Sequence, residues 1–136
     1  MDTAYALAVE LPLSLPAARA RVTALLKEEG FGVLTEIDLQ ATLKAKLGVD
    51  VEPQVILGAC NPGFAHQAIQ AEEAIGILLP CNVVLREKEP GRTRVFLTRV
   101  EGLFSLVENP AMAAVASEVG ARLARVAQAL QAPSAG

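Results

Sequence analysis

The chain reads as an α+β fold in which helices pack on a largely antiparallel sheet, and three observations carry that reading. Short apolar runs of strand length alternate with longer segments whose apolar residues recur every three or four positions. Two runs, "NVVLREKE" and "RTRVFLTRV", flank Pro90-Gly91 and form an antiparallel hairpin instead of helix-linked strands. The 136 residues, 52% hydrophobic and 20% charged, predict a single domain over 1–136 whose core needs no disulfide or metal.

The elements follow in order. "YALAVEL" (5–11) alternates well enough for a strand. Ser14 is placed to cap the next helix, with Pro16 in its first turn. Ala18, Val22, Leu25 and Leu26 give that helix one apolar stripe, and Gly30 ends it in a left-handed conformation. "FGVLTEID" (31–38) is the second strand, with Phe31, Val33, Thr35 and Ile37 predicted to share a face. Asp38 caps a short helix through "LQATLKAKLG", which Gly48 stops. Pro53 biases Glu52 towards extended backbone, and "QVILGACN" (54–61) reads as a buried strand. Asn61-Pro62 supplies the cap and first residue of a helix reaching about Glu73. "AIGILLP" fits strand or turn equally.

After the hairpin, Asn109-Pro110 repeats the cap pair before a long helix over about 111–131. Met112, Ala116, Val119, Leu123, Val126 and Leu130 form its sheet-facing row. A second row of small residues (Ala113, Ser117, Gly120, Ala124, Ala127) lets another backbone come close, from this chain or from a partner. Residues 131–136 read as a frayed tail.

Composition excludes several classes. A net charge of −3 offers no basic field to a phosphate backbone, so nucleic acid is not an expected partner. The longest apolar runs, such as Ile75 to Cys81, are too short to span a bilayer. The N-terminus lacks a basic region, and Glu10 and Pro12 interrupt its apolar stretch, so it reads as fold and not as a signal peptide. The expected location is cytoplasmic, where the two cysteines stay free thiols. No Ser/His/Asp arrangement, phosphate loop or dinucleotide fingerprint is present, and no motif calls for a cofactor.

"FGVLTEIDL", "ILGACNP" and "IGILLPCNVV", in that order over 31–84, resemble the signature of the domain-of-unknown-function 302 family of bacteria and archaea. With the flanking helices, the resemblance covers nearly the whole chain. It implies a TATA-binding-protein-like fold, with a curved, mainly antiparallel sheet and helices on one side, and it implies a homodimer. It implies no activity, and a shared fold does not carry DNA binding with it.

The candidate site starts from the echoed Cys-Asn pairs. Cys60 stands where a strand ends and a helix begins, beside Asn61, Pro62 and Gly63. Free N–H groups and the positive end of the helix dipole meet there, and Gly63 lets a ligand approach the backbone. The same field favours a thiolate at Cys60. If Cys81-Asn82 lies alongside, both pairs line one pocket mouth, suited to a small polar or anionic ligand. The alternative is thiol chemistry: redox, persulfide or soft-metal handling through Cys60 and Cys81. Cys60, His66 and Cys81 match no zinc spacing, so no metal centre is assigned, and His66 reads as an exposed helix residue. Glu36 lies in an apolar strand about 7 Å from Asp38 on the same face, and needs a partner if buried.

Overall fold

The computed structural model describes residues 2–132. Five strands, β1 (Ala6–Leu11), β2 (Gly32–Asp38), β3 (Gln54–Cys60), β4 (Cys81–Glu89) and β5 (Arg92–Thr98), form one sheet in the order β1-β5-β4-β3-β2. Every neighbouring pair is antiparallel. The helices are α1 (Leu15–Glu28), α2 (Leu39–Leu47), α3 (Pro62–Ala71), α4 (Val100–Phe104) and α5 (Ala111–Gln131), with a 3₁₀ turn at Glu73–Leu78. None of them is long and apolar enough to cross a membrane. The fold is α+β, as the hairpin and helix periods predict.

The strand period of two sorts the side chains onto two faces. Register aligns Leu57, Val83 and Leu97 in one row, and Val55, Leu85, Val95 and Val9 in the next. All are buried, in one core with Ala18, Val22 and Leu26 of α1 and Val119, Leu123 and Val126 of α5. Each such side chain withdrawn from water contributes roughly 1.5–3 kcal/mol before the entropy of ordering is counted. The reverse face carries Ile56, Val84 and Phe96, which are only half-buried.

Local chemistry sets the helix ends. Asp38 accepts the Ala41 N–H at 2.9 Å and caps α2, while Gly48 closes it at φ 69°. Asn61 accepts the Phe64 N–H at 3.4 Å and caps α3. Ser14 occupies the cap position of α1 without a side-chain cap bond. The acceptor comes instead from across the fold: Glu87 Oε1 accepts the Leu15 N–H at 2.9 Å, and Oε2 accepts the Gly91 N–H at 2.9 Å. Those backbone donors, Gly91 first, hold the Glu87 carboxyl below its ordinary pKa. α5 begins at Ala111, but Pro110 takes the cap position instead of the first helical one. Asn109 Oδ1 accepts the Ala111 N–H at 3.0 Å, so the amide still serves the helix start from one residue further out.

One segment left open is now defined, and one prediction is corrected. "AIGILLP" is neither a strand nor a simple turn, since most of it lies in the 3₁₀ turn. Phe31, Val33, Thr35 and Ile37 do not share a face. A bulge between Val33 and Thr35 inserts Leu34, so Val33 pairs Ala59 whereas Thr35 pairs Gly58 and Ile37 pairs Ile56, on the reverse side. The small-residue row of α5 is partly filled from within the chain. A Cβ at Gly120 would lie 1.6 Å from Glu101 Oε1 of α4. The frayed tail predicted over 131–136 lies largely outside the described residues.

Candidate functional site

β3 ends at Cys60 and the chain turns into α3, while β4 begins at Cys81. Register pairs Ala59 with Cys81, so Cys60 is one step off that pair. By strand spacing and rise, the Cα atoms of the two cysteines stand about 6 Å apart. Both thiols are free. They line one cleft of ≈ 30 Å³, together with Asn61, and Phe31, Phe64 and Phe104 supply its aromatic walls. Val115 and Val119 of α5 close the side opposite the sheet. The lining residues are apolar apart from Cys60, Cys81 and Asn61.

Burial pushes the Cys81 thiol from 9.0 to about 11, and the neighbouring Cys60 sulfur adds to the shift. Cys81 is therefore protonated and enclosed at neutral pH. Cys60 is half-exposed and sits at the rim, next to the start of α3.

A residue that the sequence did not single out backs one wall of the cleft. Arg122 of α5 holds its guanidinium carbon 5.2 Å from the centroid of the Phe64 ring. Its Nη1 donates to the Glu29 carbonyl at 2.9 Å, and its Nε donates to Glu118 at 3.0 Å. Gly30 lies between: a Cβ there would meet Asn61 Nδ2 at 2.8 Å and Arg122 Nη1 at 3.5 Å. Gly30 also carries φ 86°, so a side chain is refused on both counts.

The remaining sequence candidates lie apart from the cleft. Asn82, next to Cys81 in β4, points the other way as strand alternation requires. It lines a separate hollow of ≈ 440 Å³ on the reverse face with Tyr5, Phe96 and Thr98, and its carbonyl accepts the Thr98 hydroxyl at 2.7 Å. Glu36 faces α1 and pairs with Arg19, which explains a carboxylate in that strand without a ligand. Gly63 is exposed in the first turn of α3, where a Cβ would meet only Asn61 Oδ1, at an ordinary contact distance of 3.7 Å. His66 is exposed on α3. Among the described residues, no three His, Cys, Asp or Glu side chains cluster as metal ligands.

The family model described as "Domain of unknown function DUF302" matches residues 7–130. A crystal structure of an uncharacterized conserved DUF302 protein from Bacillus stearothermophilus is similar to this fold with a TM-score of 0.81 and 30% identity. That match covers 90% of this chain and 95% of the other. No curated protein matches the chain.

Proposed function

The chain belongs to the DUF302 family, and we propose that it is a binding module whose site is the cleft shared by Cys60 and Cys81. One observation carries the reading: two free thiols from adjacent strands border the same aromatic-walled space. Size narrows the ligand. A metabolite pocket spans roughly 300–1,000 Å³, whereas this cleft offers ≈ 30 Å³, room for one or two water-sized bodies.

Polarity narrows it further. A freely hydrated ligand entering this apolar lining would lose hydration that one amide cannot replace, since Asn61 Oδ1 already accepts the Phe64 N–H, whereas a ligand bonded directly to sulfur gains bonds in exchange. A compact, soft species held by sulfur suits the walls better than the polar or anionic ligand expected from the Cys-Asn echo. The Arg122 guanidinium and the α3 start supply positive charge beside the thiols when they ionise.

Arsenite tests the pairing, since arsenous acid condenses with two thiols, forming two As–S bonds and releasing two waters. The native protein should take up one arsenic per chain by intact mass, and its melting temperature should rise. Cys60→Ser and Cys81→Ser, each checked for folding by circular dichroism, should take up none. Equal uptake by either single variant, or none by the wild type, removes the paired site.

A further inference from the structure

We infer that the Cys60–Cys81 cleft is a two-coordinate site for a soft monovalent d¹⁰ cation, Cu(I) or its analogue Ag(I). The inference rests on the paired-thiol reading above and names the class of ligand. Three features converge on it.

The first is the donor set. Thiolates select soft ions, whereas Zn²⁺ requires four ligands in a tetrahedron. No third His, Cys, Asp or Glu joins the two sulfurs among the described residues, and the exposed His66 does not line the cleft. Two thiolates and no more is the coordination that Cu(I) and Ag(I) accept in linear form.

The second is size and dryness. A space of ≈ 30 Å³ bordered by the end of β3, the start of β4, α3 and α5 takes a single ion and little else. Phe31, Phe64 and Phe104 give the cleft apolar walls that offer no competing ligand.

The third is charge. Binding exchanges two S–H bonds for two S–M bonds, releases two protons to solvent, and leaves a bis-thiolate complex of net charge −1. That charge would be costly in hydrocarbon. The N-terminal end of the ten-residue helix α3, which begins immediately after the Cys60-Asn61 pair, offsets it at the cleft, and Arg122, paired with Glu118, adds positive charge behind the Phe64 wall. No redox change of metal or protein is involved.

The experiment uses the full-length protein, reduced and anaerobic, with Cu(I) delivered from a coloured bis-chelate and Ag(I) added as nitrate in chloride-free buffer. One equivalent of either ion should bind per chain, with an ultraviolet thiolate-to-metal band and X-ray absorption showing two sulfur neighbours. Cys60→Ser and Cys81→Ser should each weaken binding about 100-fold or more, beyond what loss of an outer-shell partner costs. His66→Gln should change nothing. Arsenite uptake without Cu(I) or Ag(I) binding overturns the metal assignment and leaves the thiol pair standing. Failure of both reagents overturns the pair as well. Three or four ligands in the absorption spectrum, or full affinity in either serine variant, also refutes the two-coordinate site.

Discussion

Gly102→Ala should destabilise the protein by about 3 kcal/mol, the upper end of what overpacking costs. A Cβ on Gly102 would lie 1.7 Å from the Ala4 carbonyl oxygen, so the collision is backbone against side chain at a fixed place. Both sides are tethered by hydrogen bonds. The Arg99 N–H donates to the Tyr5 carbonyl at 2.8 Å, and Arg99 Nη1 donates to the Thr3 carbonyl at 3.0 Å, tying the entry to α4 to the irregular segment before β1. Val100 and Phe104 anchor the same short helix in the core. Gly120→Ala is the informative comparison. Its new methyl also meets an atom within 2 Å, but that atom is the carboxylate oxygen of Glu101, which is exposed and can rotate away. Alanine is also preferred over glycine in a helix by about 1 kcal/mol. Chemical denaturation should therefore find Gly120→Ala close to neutral and Gly102→Ala strongly shifted. Equal losses would mean that α4 is not held against the N-terminal segment in this way.

Raising the pH should weaken the fold through Cys81. Its thiol is raised from 9.0 to about 11 by burial, so the folded state keeps a proton that the unfolded chain gives up. The stabilisation is fully present below pH 9.0 and is lost as the pH rises through about 11. Two pKa units correspond to roughly 2–3 kcal/mol at full effect. Unfolding free energies measured between pH 8 and 11 should fall by roughly that much more in the wild type than in Cys81→Ala. Parallel curves would show that the Cys81 thiol is not enclosed by the aromatic walls of the cleft. The acid limb behaves oppositely. Glu10, hydrogen-bonded first by Arg94, and Glu29, hydrogen-bonded by Arg125, both titrate below the ordinary carboxylate value. Their contribution is present above that value and lost as the pH falls through the lowered ones.

Much of the architecture was legible because it is written in local periods and caps. The α5 row from Met112 to Leu130 is buried throughout, and Asp38, Gly48 and Asn61 end or start their helices where the spacing puts them. α4 was not legible. Five residues give no helical period, and Val100 simply ends the run "RTRVFLTRV", which reads as one strand. The bulge at Leu34 was hidden for a related reason: "FGVLTEID" alternates without a break, and only pairing to Gly58 of β3 reveals the inserted residue.

The site was half legible. Cys60 and Cys81 reach one cleft because β3 ends at Cys60 beside the start of β4, where register pairs Ala59 with Cys81, which the repeated dipeptide hinted at but did not determine. The separation of Asn82 from Cys81 could have been read in advance, because adjacent strand residues face opposite ways. Cys60 is the last residue of β3, where the chain leaves the sheet for α3, and Asn61 beyond it caps that helix. Arg122 carries no sequence signal. Its role comes from α5 crossing Phe64 and the C-terminal end of α1, a contact between segments distant in the chain. Glu36 looked unusual until Arg19 appeared across from it.

Amide and methyl chemical shifts recorded before and after one equivalent of arsenite test the shared thiol cleft most directly. The account predicts changes concentrated at Phe31, Cys60, Phe64, Cys81, Phe104 and Val119, with Tyr5, Asn82 and Phe96 on the reverse face unmoved. Changes centred on that reverse face, or confined to one cysteine and its immediate neighbours in sequence, would contradict it.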